Sequence, residues 1–429
     1  MEQEQQKTQK MNFSTYFTQK VAPAAEHIEK TRKKIINIAI KIFAVPVVLC
    51  VIFALLCLIA GGRDGKAQEA LICALMLIVA PIFAVIVYMF SIKKIYNFYA
   101  KEILIPRLLG FWGQFRYYAP LNIFSAIYRA YKKKSGIKGF LSELRGPKDT
   151  NITINPITLA RLFEFSTIEY DDKIVGKHGG VDIEMAEIDA YYNEKSGIDS
   201  ETGKQRYSKK SSFKGIVFSA KLNKKFKGIT VLSNSGINKR RVLHPRITPK
   251  EISQMNLTDV LTIGRQIADV VDAVNDYKKG VDKEEIAEKH AAGYSNEIEF
   301  QKENIEHSKN SEHNGNKEHL HLEDVHLEDP ELMSKFKICS TDQIEVRYIF
   351  TTAFMERFMK MARCFNFKIK AMFIGNNMYI FIINRRKDWF EIPYFKSCQD
   401  AANYKEFLVD FSNLLSIVDD LKLNQNIGM

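Results

Sequence analysis

None of the cysteines in this 429-residue chain stands at a Cys-x-x-Cys spacing. They fall at positions 50, 57, 73, 339, 364 and 398, and the first three lie inside very apolar segments. A disulfide framework and a thiolate zinc site are both excluded, and a reducing compartment suits the soluble part. Also missing are a phosphate-cradling P-loop, a zincin helix and a Gly-x-Ser-x-Gly nucleophile elbow. No cofactor is expected. Acidic residues are absent between Thr202 and Lys250, a stretch that carries fourteen Lys/Arg.

Two long apolar runs stand out against these absences. One is uncharged from Ile42 to Ala60 and the next extends from Ala70 to Ile92. Each matches the ~20 residues that a helix needs to cross a bilayer. The loop between them, "GGRDGKAQE", has no room for a domain, so a tight hairpin over 35–92 is predicted. Lys30, Arg32, Lys33 and Lys34 precede the first run and Lys93 and Lys94 follow the second, against Arg63 and Lys66 in the loop. The excess of Lys/Arg puts both termini on the cytoplasmic side, with residues 1–34 as a cytoplasmic lead-in. Residues 93–150 follow, with eleven aromatics between Tyr96 and Tyr131. They read as amphipathic helices, suited either to the headgroup zone or to packing on the domain behind them.

The period then changes. Val181, Ile183 and Met185 alternate with Asp182 and Glu184, and turns are expected at Asp171-Asp172 and Gly179-Gly180. "FKGIVFSAKL" and "FKGITVLSN" read as a strand pair with a turn at Asn223 to Lys225, and "FKIKAMFIGNNMYIFIIN" as a hairpin turning at Gly375-Asn376-Asn377. Asp342 is a candidate N-cap with Glu345 three residues on, in capping-box spacing. Gln399 to Leu421 closes the chain as an amphipathic helix. The sum is α+β with mostly antiparallel, half-buried sheet and flanking helices. It divides into 151–234, a helical and polar insertion at 235–318, and 319–429.

"FEFSTIEYDDKIVGKHGGVDIEMAEI", "FKGIVFSAKLNKKFKGITV" and "VHLEDPELMSKFKICSTDQIEVRYIFTTAFMERF" together resemble domain-of-unknown-function family 3137, a bacterial membrane-anchored family. The resemblance runs from about Ile35 to Ile382 with one gap. Its shared elements are Leu327-Glu328-Asp329, the Phe336 strand, Asp342-Gln343-x-Glu345-x-Arg347-Tyr348 and Met355-Glu356-Arg357. It implies a fold and a two-pass location in the inner membrane of a bacterium, and it brings no established activity. Thr351-Thr352 stands where the family usually has Thr-Pro, which leaves a helix break there open. The gap is the insertion, whose Thr248-Pro249-Lys250-Glu251 has the form of a helix start.

Four constellations could carry function. Lys209, Lys210, Lys224, Lys225, Arg240 and Arg241 are candidates for an anionic lipid surface or an acidic protein partner, or they form a merely solvated basic face. Nucleic acid is not expected, since no recognised binding motif is present. His178 with Asp171, Asp172, Asp182 and Glu184 could serve an enzyme, and Asp182 and Glu184, at i and i+2 on a strand, share a face. They equally fit a turn and the polar side of a strand. His319, His321 and His326 could approach one another if the chain turned at Glu323-Asp324, but their spacing matches no closed zinc set. Asp342, Gln343, Glu345 and Arg347 read either as a family functional motif or as a capped helix with Arg347 paired to a carboxylate. The leading expectation is a membrane-anchored binding or scaffold module on the lipid bilayer; the alternative is a membrane-associated enzyme built around His178, Asp182 and Glu184.

Overall fold

The computed structural model describes residues 12–34, 36–37, 48, 51–52, 55, 59, 96–119, 154, 156–198, 205–245, 321–385, 388–392 and 396–423. The chain forms two compact units, Met1–Trp112 with Glu391–Glu406, and Gly113–Phe390 with Phe407–Met429.

The first unit contains helix α1 (13–34), interrupted by a π-helical turn at Phe17–Val21, and helix α2 (96–109). Val21, Ala25 and Ile28 on α1 and Leu104, Ile105 and Leu108 on α2 are fully buried. The i, i+3, i+4 spacing places each trio on one helix face, which is why these segments are helices at all in a small unit. Tyr96 and Phe98, from the aromatic-rich stretch, are core residues too. The 3-10 turn Ala401–Tyr404 completes the unit, with Tyr404 stacked at a tilt on Phe17.

Among the described residues the second unit holds an antiparallel sheet of seven strands: β1 (Phe115–Tyr118), β2 (Thr167–His178), β3 (Val181–Ile198), β4 (Gln205–Ser233), β5 (Glu323–Val325), β6 (Lys337–Ser340) and β7 (Ile369–Ile383). They run in the order β1-β2-β3-β4-β6-β5, and β7 pairs with β4. Since β7 takes one edge of β4 from Gly215 to Ser233, β3 and β6 share the other edge. The α+β expectation holds. Half-burial does not: the middles of β3 and β7 are buried on both faces.

One face carries Phe163, Phe165, Ile188, Phe213, Val217, Ile229, Val231, Met372, Ile374 and Phe381 in a single cluster. Helix α3 (Pro156–Ala160) and helix α4 (Lys239–Leu243) contribute Leu159, Ala160 and Val242 to it. Elsewhere Phe373 meets Phe350 and Phe354, and Phe336 meets Phe358. These rings come from helix α5 (Pro330–Lys335), helix α6 (Gln343–Ile349), helix α7 (Thr352–Cys364) and the residues at their ends. Helix α8 (Lys405–Asp420) packs Phe411 edge-on against Phe115.

The two expected turns at Asn223 to Lys225 and Gly375 to Asn377 are not turns. β4 and β7 each run straight through, paired to each other, with register shifts between Lys221 and Phe226 and between Phe226 and Ile229. The turn-prone residues of one strand thus lie opposite those of the other, and together they make a bulge. Gly375 there has a φ of 56°, a left-handed conformation that favours glycine. Met372 and Ile374 before it join the same cluster as Tyr379 and Phe381 after it, so the inward alternation slips by one residue across the bulge. Asp171-Asp172 is likewise a bulge within β2. Gly179-Gly180 is the β2–β3 turn, as expected.

The stretch after α2 also differs from a helix pair. It turns at Gly113 and enters the sheet as β1. Glu323-Asp324, where a turn would have been needed to bring the three histidines together, lies in β5. The break before α7 is present without proline, because Thr351 serves as N-cap and accepts from Phe354 N at 3.3 Å.

No helix among the described residues is long and apolar enough to cross a membrane. The hairpin over 35–92 lies outside them except at Ile36, Asn37 and the helical positions Val48, Val51, Ile52, Leu55 and Ile59. The helical part of the insertion, from Thr248 on, lies outside them altogether, as does the segment from Leu121 to Tyr131.

Candidate functional site

The strongest convergence of polar groups lies where α6 meets the β4 bulge. Asp342 is the N-cap of α6, its Oδ1 accepting from Ile344 N and Glu345 N at 2.8 Å each. Glu345 stands in capping-box position, yet its carboxylate does not return to Asp342 N. It crosses to β4 and accepts from Lys227 N at 3.1 Å and Gly228 N at 3.0 Å. Thr341 Oγ1 accepts from Ile229 N at 2.9 Å, and Ser340 pairs with Thr230, hydroxyl to hydroxyl, at 2.8 Å. Strand bonding is irregular at a bulge, so backbone N–H groups there need other acceptors; this helix start supplies them. A Cβ on Gly228 would lie 2.5 Å from Thr341 Oγ1, which explains the glycine. Arg347 does not pair with a carboxylate: its Nη1 donates to Gln343 O at 2.7 Å and Gln343 Oε1 at 3.3 Å.

The basic stretch resolves into three parts, the β3–β4 arm, the β4 bulge and α4. Past Tyr191, β3 and β4 continue as a two-stranded arm that has no further strand partner among the described residues. Lys209 there sits 3.1 Å from Asp189 and 3.7 Å from the Tyr191 ring centre, and Lys210 3.1 Å from Glu194. Lys214 pairs with Asp388, Lys239 with Asp324 and Arg241 with Glu164, each at 2.7 Å. Lys225 and Arg240 are exposed. Of the Lys224 side chain nothing is described. The six residues expected to form one anionic-surface site are therefore split between the arm, the bulge and α4, and three of them are matched by local carboxylates.

The three residues of the enzyme reading do not converge. His178 Nε2 lies 3.0 and 3.1 Å from the Asp419 carboxylate oxygens on α8. Asp182 is exposed and pairs with Lys177 at 3.1 Å; Glu184 is buried and pairs with Lys173 at 3.0 Å. Each is engaged by a different neighbour.

His319 lies outside the described residues. His321 and His326 are exposed on either side of β5. Leu322 and Val325 are the buried residues of this segment, and Leu327 is half-buried with His326 and Glu328 outward. The Leu-Glu-Asp-Pro element is a helix start: Asp329 Oδ1 accepts from Glu331 N and Leu332 N, with Pro330 as the first helical residue.

Two groupings escaped the sequence reading. Carboxylate oxygens of Asp171, Asp172 and Glu187 lie within 4.8 Å of one another. That spacing would suit a hard divalent cation. Two of the three have protein donors: Tyr117 Oη donates to Asp172 Oδ1 at 2.5 Å, and Trp389 N to both Glu187 oxygens at 3.1 and 3.2 Å. They fasten β1 and the end of the β7 segment to the β2 bulge. A charged residue such as Glu187 amid a strand otherwise buried on both faces was the available signal. In the first unit, Cys398 Sγ lies 3.1 Å from Tyr96 Oη, Tyr404 Oη donates to Cys398 O at 2.9 Å, and Cys398 N donates to Glu29 at 3.1 Å. Arg32 grips Glu29 with both Nε (3.0 Å) and Nη2 (2.6 Å), holding that carboxyl below its ordinary range. Burial pushes the Cys398 thiol up, and the Cys339 thiol up to about 12, so neither is a poised nucleophile.

The fold and its polar centre thus define an α+β domain whose helix start clamps a bulge in its longest strand. Residues 211–423 match the family model described as protein of unknown function DUF3137, and over that segment the chain belongs to this family. No curated protein and no solved structure matches it.

Proposed function

We propose that the chain is a membrane-tethered binding module of a bacterial inner membrane, with both termini cytoplasmic, whose folded units present a docking surface near the bilayer. One observation carries this reading. Val48, Val51, Ile52, Leu55 and Ile59 are helical, follow one another at one-face spacing, and are 37–61% exposed. Large apolar side chains on one helix face, in a run without charge from Ile42 to Ala60, call for a non-aqueous neighbour. The Lys/Arg flanks give the orientation.

Binding rather than catalysis is favoured because His178, Asp182 and Glu184 are each taken up by a separate structural partner. Membranes carrying the full chain, washed with alkaline carbonate, test the tether: retention is expected, and release into the supernatant sinks it. Reporter fusions at each terminus test the orientation, with activity expected only from cytoplasmic reporters.

A further inference from the structure

We infer that the outer face of α6, together with the cations of the β4 bulge, is a docking surface for anionic lipid headgroups; this rests on the tethered reading above. The family motif divides its residues between two directions. Asp342 and Glu345 turn inward and are spent on backbone N–H groups of the helix start and the bulge. Ile344 and Tyr348, one turn apart, face outward with exposures of 70% and 57%, the two largest exposed apolar side chains of the motif, and Arg347 is exposed beside them. Nothing about capping a helix or clamping a bulge requires an isoleucine, a tyrosine and an arginine on the water side.

Charge points the same way. The cations of the β3–β4 arm and of α4 are largely matched by carboxylates, whereas Lys221 and Lys227 at the bulge are exposed and form no ion pair among the described residues. Lys227 is the residue whose N–H is held by Glu345, so its side chain leaves the bulge next to α6. Arg347 spends its guanidinium on Gln343 of its own helix rather than on an acid. Lys227 and Arg347, without a carboxylate partner among the described residues, beside an aliphatic and a tyrosine side chain make the composition that settles at a headgroup layer: the apolar groups enter the boundary and the cations meet phosphate. A chain already tethered to the bilayer needs only weak affinity for this, because the surface is always at high local concentration.

The test uses the full chain reconstituted into vesicles of phosphatidylcholine alone or mixed with phosphatidylglycerol, with hydrogen exchange read on peptides covering 343–349. Exchange is expected to slow about tenfold in the anionic vesicles only, and the effect to fade at high salt. Ile344→Ser with Tyr348→Ser, or Lys221→Gln with Lys227→Gln, should each remove most of the protection. These positions are exposed, so the variants keep the fold, and unchanged exchange elsewhere verifies it. Retention after a carbonate wash with identical exchange in both vesicle types overturns the docking surface and leaves the tether standing. Loss of the chain from the vesicles overturns both readings.

Discussion

Glu345 and Gly228 are joined across 117 residues of sequence by a hydrogen bond of 3.0 Å from the Gly228 N–H to Glu345 Oε2. The other carboxylate oxygen takes the Lys227 N–H, so one side chain satisfies two donors that the bulge leaves without a strand partner. Charge-assisted bonds to N–H groups contribute about 1.5–3 kcal/mol, and unsatisfied donors cost more than the bond is worth. Glu345→Ala should therefore destabilise the second unit by about 2 kcal/mol. Gly228→Ala should match it, because its Cβ would meet Thr341 Oγ1 at 2.5 Å. Urea unfolding followed by Trp389 fluorescence, in a Trp112→Phe background, reads this unit; an unchanged midpoint for both variants refutes the clamp.

The Glu29 network makes the first unit acid-sensitive. Arg32 hydrogen bonds are the main cause holding the Glu29 carboxyl low, and the Cys398 N–H adds to them. Unfolded, the group titrates at its ordinary value, so the folded state binds fewer protons between the two. Stability from Glu29 is fully present above the ordinary value and is lost as pH falls through the folded one. Glu29→Gln should cost about 2 kcal/mol at neutral pH and flatten the decline on the acid side. Trp112 fluorescence in a Trp389→Phe background follows the unit, and a variant with the same acid slope as the wild type speaks against the assignment.

Lys370 shifts with pH in the same direction, but as a cost rather than a contribution. Its side chain is buried with Nζ 4.6 Å from the Phe163 ring centre, and burial, with Arg241 nearby, lowers its pKa. The folded state then binds fewer protons than the unfolded one in the window below the ordinary lysine value. The cost of burying the charge is fully present below the folded pKa and is relieved as pH rises through that window. Lys370→Met should stabilise the protein by on the order of 1 kcal/mol at neutral pH, with the gain shrinking as pH climbs toward the ordinary value. A gain that does not depend on pH would assign the effect to packing alone.

The alternating segments, the Gly179-Gly180 turn, the Asp342 cap and the closing helix were all legible, because each depends on neighbours within a few residues. The two misread turns at Asn223–Lys225 and Gly375–Asn377 show where that stops. Asn, Gly and Lys clusters suit a turn and a bulge equally, and only the opposing strand decides which forms; here each bulge is the other's partner. Glu345 follows the same logic. Its spacing from Asp342 signals a capping box, but β4 offers better donors from a distant part of the sequence. The Asp171, Asp172 and Glu187 grouping needed the β2–β3 register, and the Cys398 network needed α1 folded against the returning segment.

Glu184 and Asp182 separate a structural from a catalytic role. Glu184 and Lys173 form a pair with side chains only 6% and 11% exposed, while Asp182 and Lys177 are 52% and 68% exposed. Removing one partner of a buried pair strands the other charge and costs about 3 kcal/mol or more, whereas an exposed pair contributes about 0–1 kcal/mol. Glu184→Gln should thus lower the unfolding midpoint markedly, and Asp182→Asn should leave it nearly unchanged. Glu184→Gln with Lys173→Met should recover most of the loss, since a matched apolar and amide pair leaves no stranded charge. A catalytic pair would behave otherwise in cells: both single variants would abolish complementation at normal protein levels, and the double variant would not rescue. Complementation that tracks the amount of folded protein across all three variants is the expected result, and loss of function in Asp182→Asn at full abundance would restore the enzyme reading.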